Sequence, residues 1–167
     1  MVANFTHSLM AEQDLDEVLS IEKEAFPHPW TKDFFRLIMQ DTSNYMVTLK
    51  QGKNLIGYGG YHLLKNSSKF LDTKKLYTRL IHLINIAIHA HYRNQGFGRH
   101  LLNLLISNAK IRKAEYCYLE LRPSNNRAFR FYKSFGFSVI GVIENYYPIE
   151  EENAIVMGKE LFSLMER

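Results

Sequence analysis

Cysteine is almost absent from this chain: Cys117 stands alone among 167 residues. One thiol makes no internal disulfide. It lies in the apolar run Tyr116–Leu121, where a cysteine acts as a small core hydrophobe. Long hydrophobic runs are missing too. The most apolar stretch, Leu80–Ala90, is broken by His82, Asn85 and His89 and is far shorter than the ~20 residues that cross a bilayer. The opening residues, Met1-Val2-Ala3-Asn4-Phe5-Thr6-His7, lack the basic region and apolar core of a secretory signal. There is no internal repeat and no low-complexity tract. The expectation is a cytoplasmic protein that makes no use of a membrane. Excess charge is small as well: 21 Lys and Arg against 17 Asp and Glu leave +4. That balance suits a polyanionic cofactor and does not call for nucleic acid. What the chain does have is apolar material, 46% hydrophobic with 13% aromatic. That is enough for the core of one domain over residues 1–167.

Hydrophobic periodicity divides the chain into elements. Asn4–Leu9 reads as a strand and Ala11–Ala25 as a helix. Phe26-Pro27-His28-Pro29-Trp30 breaks that helix, and Thr31 is placed to cap a second one ending near Met39. Tyr45–Leu49 and Leu55–Leu64 read as strands joined by the turn Gln51–Asn54. Gly57, Gly59 and Gly60 inside the second strand point to a bulge or a close neighbour. Lys65–Lys75 is polar and reads as a connection. Then come a strand over Leu76–His89, a helix over Phe97–Arg112 and a strand over Tyr116–Arg122. A helix follows that is capped by Ser124 or Asn125 and ended by Gly136. Phe137–Ile143 and Ala154–Leu161 read as the last strands, with Glu144–Asn153 as the loop between them. The order βααβββαβαββ implies an α/β fold in which helices cover a mixed sheet.

The junction Ile84–Arg99 carries the strongest functional signal. A strand runs into a short basic loop, and a helix begins just after Gly96-Phe97-Gly98. A helix N-terminus with free N–H groups is a ready site for phosphate, and Arg93 and Arg99 add fork-shaped donors. No phosphate-loop lysine motif is present. A dinucleotide fingerprint fails because Leu101 stands where its third glycine belongs. The segment Arg93-Asn94-Gln95-Gly96-Phe97-Gly98 instead resembles the acetyl-CoA pyrophosphate loop of the GNAT superfamily of N-acetyltransferases. About 20 residues on, Leu119-Glu120-Leu121 leads through Asn125 and Ala128 to Tyr132 and Gly136-Phe137. This is similar to that superfamily's second signature. Glu120, Asn145-Tyr146-Tyr147-Pro148 and Ala25-Phe26-Pro27…Trp30 further resemble the RimI branch, which acetylates the N-terminal alanine of a small-subunit ribosomal protein. The long Lys65–Lys75 connection, Pro27-His28-Pro29-Trp30 and Glu144 depart from that branch. All three bear on substrate more than on cofactor.

The resemblance implies a single-domain fold with a mostly antiparallel central sheet, acetyl-CoA as donor, no metal, and direct transfer without an acetyl-enzyme. Ile86, Ala87 and Ile88 would offer backbone to the pantetheine arm, Asn125 would hydrogen-bond it, and Asn94, Gln95, Gly96, Phe97, Gly98 and Arg99 would hold the pyrophosphate. Arg93 faces either phosphate or solvent. Glu120 would be the general base; on the strand it shares a face with Tyr116, Tyr118 and Arg122, and without the resemblance a structural salt bridge is the simpler reading. Tyr132 would be the general acid, its phenol staying protonated at neutral pH; otherwise it is a core aromatic. His82 is the reserve base. Tyr146 and Tyr147 wall a peptide slot or pack on the sheet edge, and Trp30 is a substrate-side wall or an anchor for its loop. His89-x-His91 lacks the further ligands of a metal site. The expected partner is a protein or peptide N-terminus, met by a monomer. The alternatives are another amine (polyamine, aminoglycoside or lysine), for which Glu150-Glu151-Glu152 would supply an acidic slot, or a CoA-binding module without turnover.

Overall fold

A computed structural model describes residues 5–65 and 77–162. Among these residues seven strands form one sheet, in the spatial order β1 (Thr6–Leu9), β2 (Asn44–Gln51), β3 (Asn54–Lys65), β4 (Arg79–Ile88), β5 (Tyr116–Leu121), β7 (Glu152–Glu160) and β6 (Ser138–Tyr147). The chain divides into two compact units, Met1–Leu63 with Leu83–Asn108 and Leu64–His82 with Ala109–Arg167.

The first unit begins with β1 (Thr6–Leu9), a 3-10 turn (Glu12–Asp14), α1 (Leu15–Ala25) and α2 (Lys32–Gln40). The expected helix over Ala11–Ala25 therefore starts as a tighter turn, in which Asp14 folds back to accept from the Ala11 N–H at 2.9 Å. Thr31 does cap α2, its hydroxyl accepting from the Phe34 N–H at 3.2 Å. β1 pairs antiparallel with β2 (Asn44–Gln51), and β2 with β3 (Asn54–Lys65). Leu15, Val18 and Ile21 of α1 pack with Phe35, Met46, Leu55 and Tyr58 in one buried cluster. Each such side chain contributes about 1.5–3 kcal/mol by leaving water. The strand glycines answer to a close neighbour: a Cβ on Gly57 would lie 2.5 Å from the Ala87 carbonyl of β4 (Arg79–Ile88). α3 (Phe97–Ile111) follows, seated through Phe97 on Leu49 and Ile56.

In the second unit the start of β4 runs parallel to β5 (Tyr116–Leu121), with Leu80, Ile81 and His82 opposite Tyr116, Cys117 and Tyr118. β7 (Glu152–Glu160) pairs antiparallel with β5 on one side and with β6 (Ser138–Tyr147) on the other. α4 (Asn126–Ser134) is capped by Asn125, whose side chain accepts from the Ala128 N–H at 3.1 Å. Tyr77, Leu80, Tyr116, Tyr118 and Val156 form the core here. The expected loop over Glu144–Asn153 is mostly strand. Register shifts after Ile143, Asn145 takes a positive φ of 52°, and pairing resumes with Tyr147 opposite Glu152. Tyr146 and Tyr147 thus belong to β6. A polar, bulged segment hides from a reading based on alternation. The Lys65–Lys75 connection lies, from residue 66 on, outside the described residues.

Candidate active site

In the first unit the loop before α3 is built by backbone conformation. Asn94 and Gly96 take φ of 63° and 90°, turning the chain so that α3 starts at Phe97 behind an exposed Asn94-Gln95-Gly96. A Cβ on Gly96 would meet nothing within 4 Å. The positive φ, rather than crowding, is what calls for glycine there. The α3 N-terminus, the open Gly96 and the exposed Arg99 fit a pyrophosphate. Arg93, anticipated to face phosphate or solvent, is half-buried and engaged by protein groups. Its Nε donates to the Ile88 carbonyl at 2.8 Å, and its guanidinium pairs with Glu24 of α1 at 2.5 Å. It braces the loop against β4 and α1, with the Ile88 oxygen of the expected pantetheine strand as one of its acceptors.

Trp30 has the contacts of an anchor for its loop. Its ring meets Phe34 and Phe35 at centroid distances of 4.8 and 5.4 Å, and its N–H donates to Glu22 at 3.0 Å. Glu22 itself is 1% exposed. Its carboxylate also accepts from the Tyr58 hydroxyl and from Asn85 at 3.2 Å. Burial pushes its pKa above the ordinary carboxylate value, while the Trp30 and Asn85 donors oppose that shift. Reading by motif missed Glu22, Tyr58 and Asn85. The available signal was a glutamate on the same helical face as Leu15, Val18 and Ala25.

The second unit holds the proposed base and acid. Glu120 is 9% exposed in its side chain, and its Oε2 lies 2.5 Å from His82 Nε2. The His82 ring stacks on Tyr118, centroids 4.7 Å apart and planes within 3°. Tyr118 and Glu120, two residues apart on β5, share a face as alternation requires. Sequence reasoning had His82 and Glu120 as rivals for one role; the structure makes them partners. Burial first, and then the Glu120 charge, raise the Tyr118 and Tyr146 phenols above their ordinary values. Tyr146 is 43% exposed and meets Tyr147 edge-on at 5.0 Å. The Arg122 guanidinium lies 5.9 Å from the centre of the Tyr147 ring and 3.4 Å from Glu150. Tyr147 is pushed up to about 12, chiefly by burial. Tyr132 on α4 packs against Phe131 and Phe137, and burial raises its phenol too, keeping the proton an acid needs. Asn125 is engaged as the α4 cap. Glu152 accepts from the Ser124 N–H and hydroxyl at 3.0 and 2.8 Å. Of the three carboxylates of the alternative acidic slot, Glu150 and Glu152 thus have partners within the chain. Among the described residues no three or more of His, Cys, Asp and Glu are grouped to hold a metal. Among them, too, no helix is long and apolar enough to cross a membrane.

A seven-stranded, mostly antiparallel sheet with four α-helices among the described residues, an open loop at a helix N-terminus, and a largely covered carboxylate on β5 define an acetyltransferase fold. The sequence pattern of the acetyltransferase (GNAT) family matches residues 15–137, and the chain belongs to that family. It is 33% identical over 157 residues to the ribosomal protein bS18-alanine N-acetyltransferase of Escherichia coli (strain K12), covering 92% of this chain and 95% of that one. The protein of that name from Haemophilus ducreyi is 30% identical over 153 residues, covering 89% and 95%. The crystal structure of the Escherichia coli ribosomal-protein-S18-alanine N-acetyltransferase superposes with a TM-score of 0.80 at 28% identity, covering 96% of each chain.

Proposed function

We propose that this chain, as one cytoplasmic N-acetyltransferase domain over residues 1–167 acting as a monomer, acetylates the N-terminal α-amine of a protein. The proposed substrate is the N-terminal alanine of the small-subunit ribosomal protein bS18. Acetyl-CoA supplies the acetyl group as a thioester. The α3 N-terminus with Asn94, Gln95, Gly96, Phe97, Gly98 and Arg99 holds its pyrophosphate, and Asn125 with the backbone of Ile86, Ala87 and Ile88 holds its pantetheine arm. Glu120 takes the proton that the amine gives up as its nitrogen bonds the acetyl carbon. Tyr132 gives its phenolic proton to the departing sulfur and is reprotonated from solvent. Tyr146 and Tyr147 flank the peptide, with Trp30 securing the loop between α1 and α2.

The observation that carries this reading is Glu120. It is a carboxylate 9% exposed, held by His82 and set among the tyrosines of β5 and β6. A surface salt bridge has no need of that setting. The substrate rests on the relatives that bear that activity in their names. The reading is tested with acetyl-CoA and three acceptors, following CoA release and product mass. These are a peptide with a free N-terminal alanine, an Nα-blocked peptide containing lysine, and spermidine. Acetylation of the first alone is expected. Acetylation of either other acceptor discards the substrate and keeps the chemistry.

A further inference from the structure

The pairing of β4 with β5 brings a second titratable side chain onto the proposed base. His82 stands opposite Tyr118 in the parallel register, so its ring lies over the Tyr118 ring and its Nε2 reaches Glu120, two residues further along β5. Two contacts fix the imidazole. The flat stack on Tyr118 leaves it little freedom to turn, and the 2.5 Å contact with Glu120 Oε2 fixes its tip. An ionised carboxylate only accepts hydrogen bonds, so in this contact Nε2 carries the hydrogen and donates it. Oε2 is then engaged, and Oε1 is the oxygen left to meet an amine or a water in front of it.

We infer that His82 is a positioning residue for the transfer reaction. It holds the Glu120 carboxylate by Oε2 so that Oε1 faces the acceptor amine, directly or through one water. This rests on the reading of Glu120 as the base. The groups that surround the pair on their own strands and on β6 agree with this division. Tyr118 packs on the imidazole face. Tyr146 and Tyr147 are both near enough to feel the Glu120 charge, which adds to burial in raising their phenols. Both phenols are held in the protonated form by burial. Arg122, the next residue on that face, is directed to Tyr147 and Glu150.

The reaction loses little in binding if Glu120 is merely left unheld, but it loses orientation. A base that is free to turn spends less time in reach of its proton, and this cost falls on the chemical step. The test is steady-state kinetics on four variants with acetyl-CoA and an alanine-first peptide: His82→Phe, His82→Gln, Glu120→Gln and the double variant His82→Phe/Glu120→Gln. Phenylalanine keeps the stack on Tyr118 and removes the donor; glutamine returns a donor without the ring. His82→Phe is expected to lower kcat about 10- to 100-fold, with KM for the peptide and acetyl-CoA affinity changed less than about threefold. His82→Gln is expected to recover at least a third of the lost logarithm of kcat. The double variant is expected to be no slower than Glu120→Gln alone, because His82 acts only through Glu120.

The outcomes separate the two levels of the reading. A slow Glu120→Gln beside a fully active His82→Phe overturns the positioning role and leaves the base standing. Full activity in Glu120→Gln with a slow His82→Phe overturns both and makes His82 the base. Additive losses in the double variant overturn the claim that His82 works through Glu120. A raised peptide KM with unchanged kcat in His82→Phe overturns it as well, since that marks a residue that shapes the binding surface. Thermal melts of all four variants identify any that fail by unfolding. Should His82→Phe melt early, His82→Leu, which is smaller and likewise has no donor, carries the same comparison.

Discussion

At the scale of single residues, the base and the acid ask for different behaviour from their surroundings. In the proposed reaction Glu120 must accept a proton and Tyr132 must keep one until sulfur takes it. Burial raises the Tyr132 phenol and so favours the second requirement directly. Exchanging Tyr132 for Phe removes the proton and keeps the ring that packs on Phe131 and Phe137. The expected result is a fall in kcat of about 100-fold, in the range that general acids contribute, with the melting temperature within about 2 °C. Steady-state kinetics with calorimetry reads both, and a variant as fast as the parent removes Tyr132 from the reaction. Exchanging Glu120 for Gln is expected to lower kcat about 100- to 10,000-fold while acetyl-CoA still binds. That Glu120 and Tyr118 share a face was legible in the sequence because alternation on one strand assigns faces without knowledge of any other strand; the role of base came from the resemblance. Its partner His82 was legible only as a candidate. Which residue of β4 lies opposite Tyr118 is a matter of register, and register is set by pairing between segments more than thirty residues apart.

At the scale of elements, the loop between α1 and α2 hangs on one buried carboxylate. Glu22 accepts from Trp30, Tyr58 and Asn85, joining the loop to α1, β3 and β4. Exchanging Glu22 for Ala leaves those donors without their acceptor and opens a cavity, a loss of about 3 kcal/mol by either mechanism. A denaturant titration at neutral pH measures it. The pH dependence has a definite sign. Burial raises the folded-state pKa of Glu22 above its unfolded value, so the folded protein holds this proton more tightly than the unfolded chain. The stability tied to that proton is complete below the ordinary carboxylate range and is lost as pH rises through the raised value. Exchanging Glu22 for Gln is expected to remove that part of the slope, and an unchanged slope would place the titration elsewhere. Caps and turns show what local chemistry can reveal: Thr31, and the pair Ser124 or Asn125 of which Asn125 is the cap, were recognisable because an N-cap needs a side-chain oxygen beside a helix start. The strand character of Tyr146 and Tyr147 was not, because β6 reaches them through a bulge that breaks the period of two.

At the scale of the whole molecule, binding of the donor and stability of the fold are one equilibrium. A ligand that binds only the folded chain raises its stability by RT ln(1 + [L]/Kd), about 2.7 kcal/mol at a hundredfold excess over Kd. Acetyl-CoA is therefore expected to raise the melting temperature by several degrees, and the size of that rise distinguishes binding from chemistry. Glu120→Gln should keep the full rise while losing turnover, since the carboxylate is not among the residues assigned to the cofactor. Gly96→Ala should lose much of it. With φ at 90°, an added Cβ meets open space but a disfavoured backbone, at a cost of about 1–2 kcal/mol. That cost is borne where the chain turns its N–H groups towards the site. If the Gly96 variant binds acetyl-CoA as the parent does, the loop before α3 is not the pyrophosphate site, and the assignment of Asn94 through Arg99 fails with it. If instead both variants keep the rise and both keep turnover, neither the base nor the cradle has been placed correctly. The same pair of variants also decides against a CoA-binding module without turnover. Such a module would bind and melt as described, yet it would give no acetylated product in the parent for Glu120→Gln to abolish.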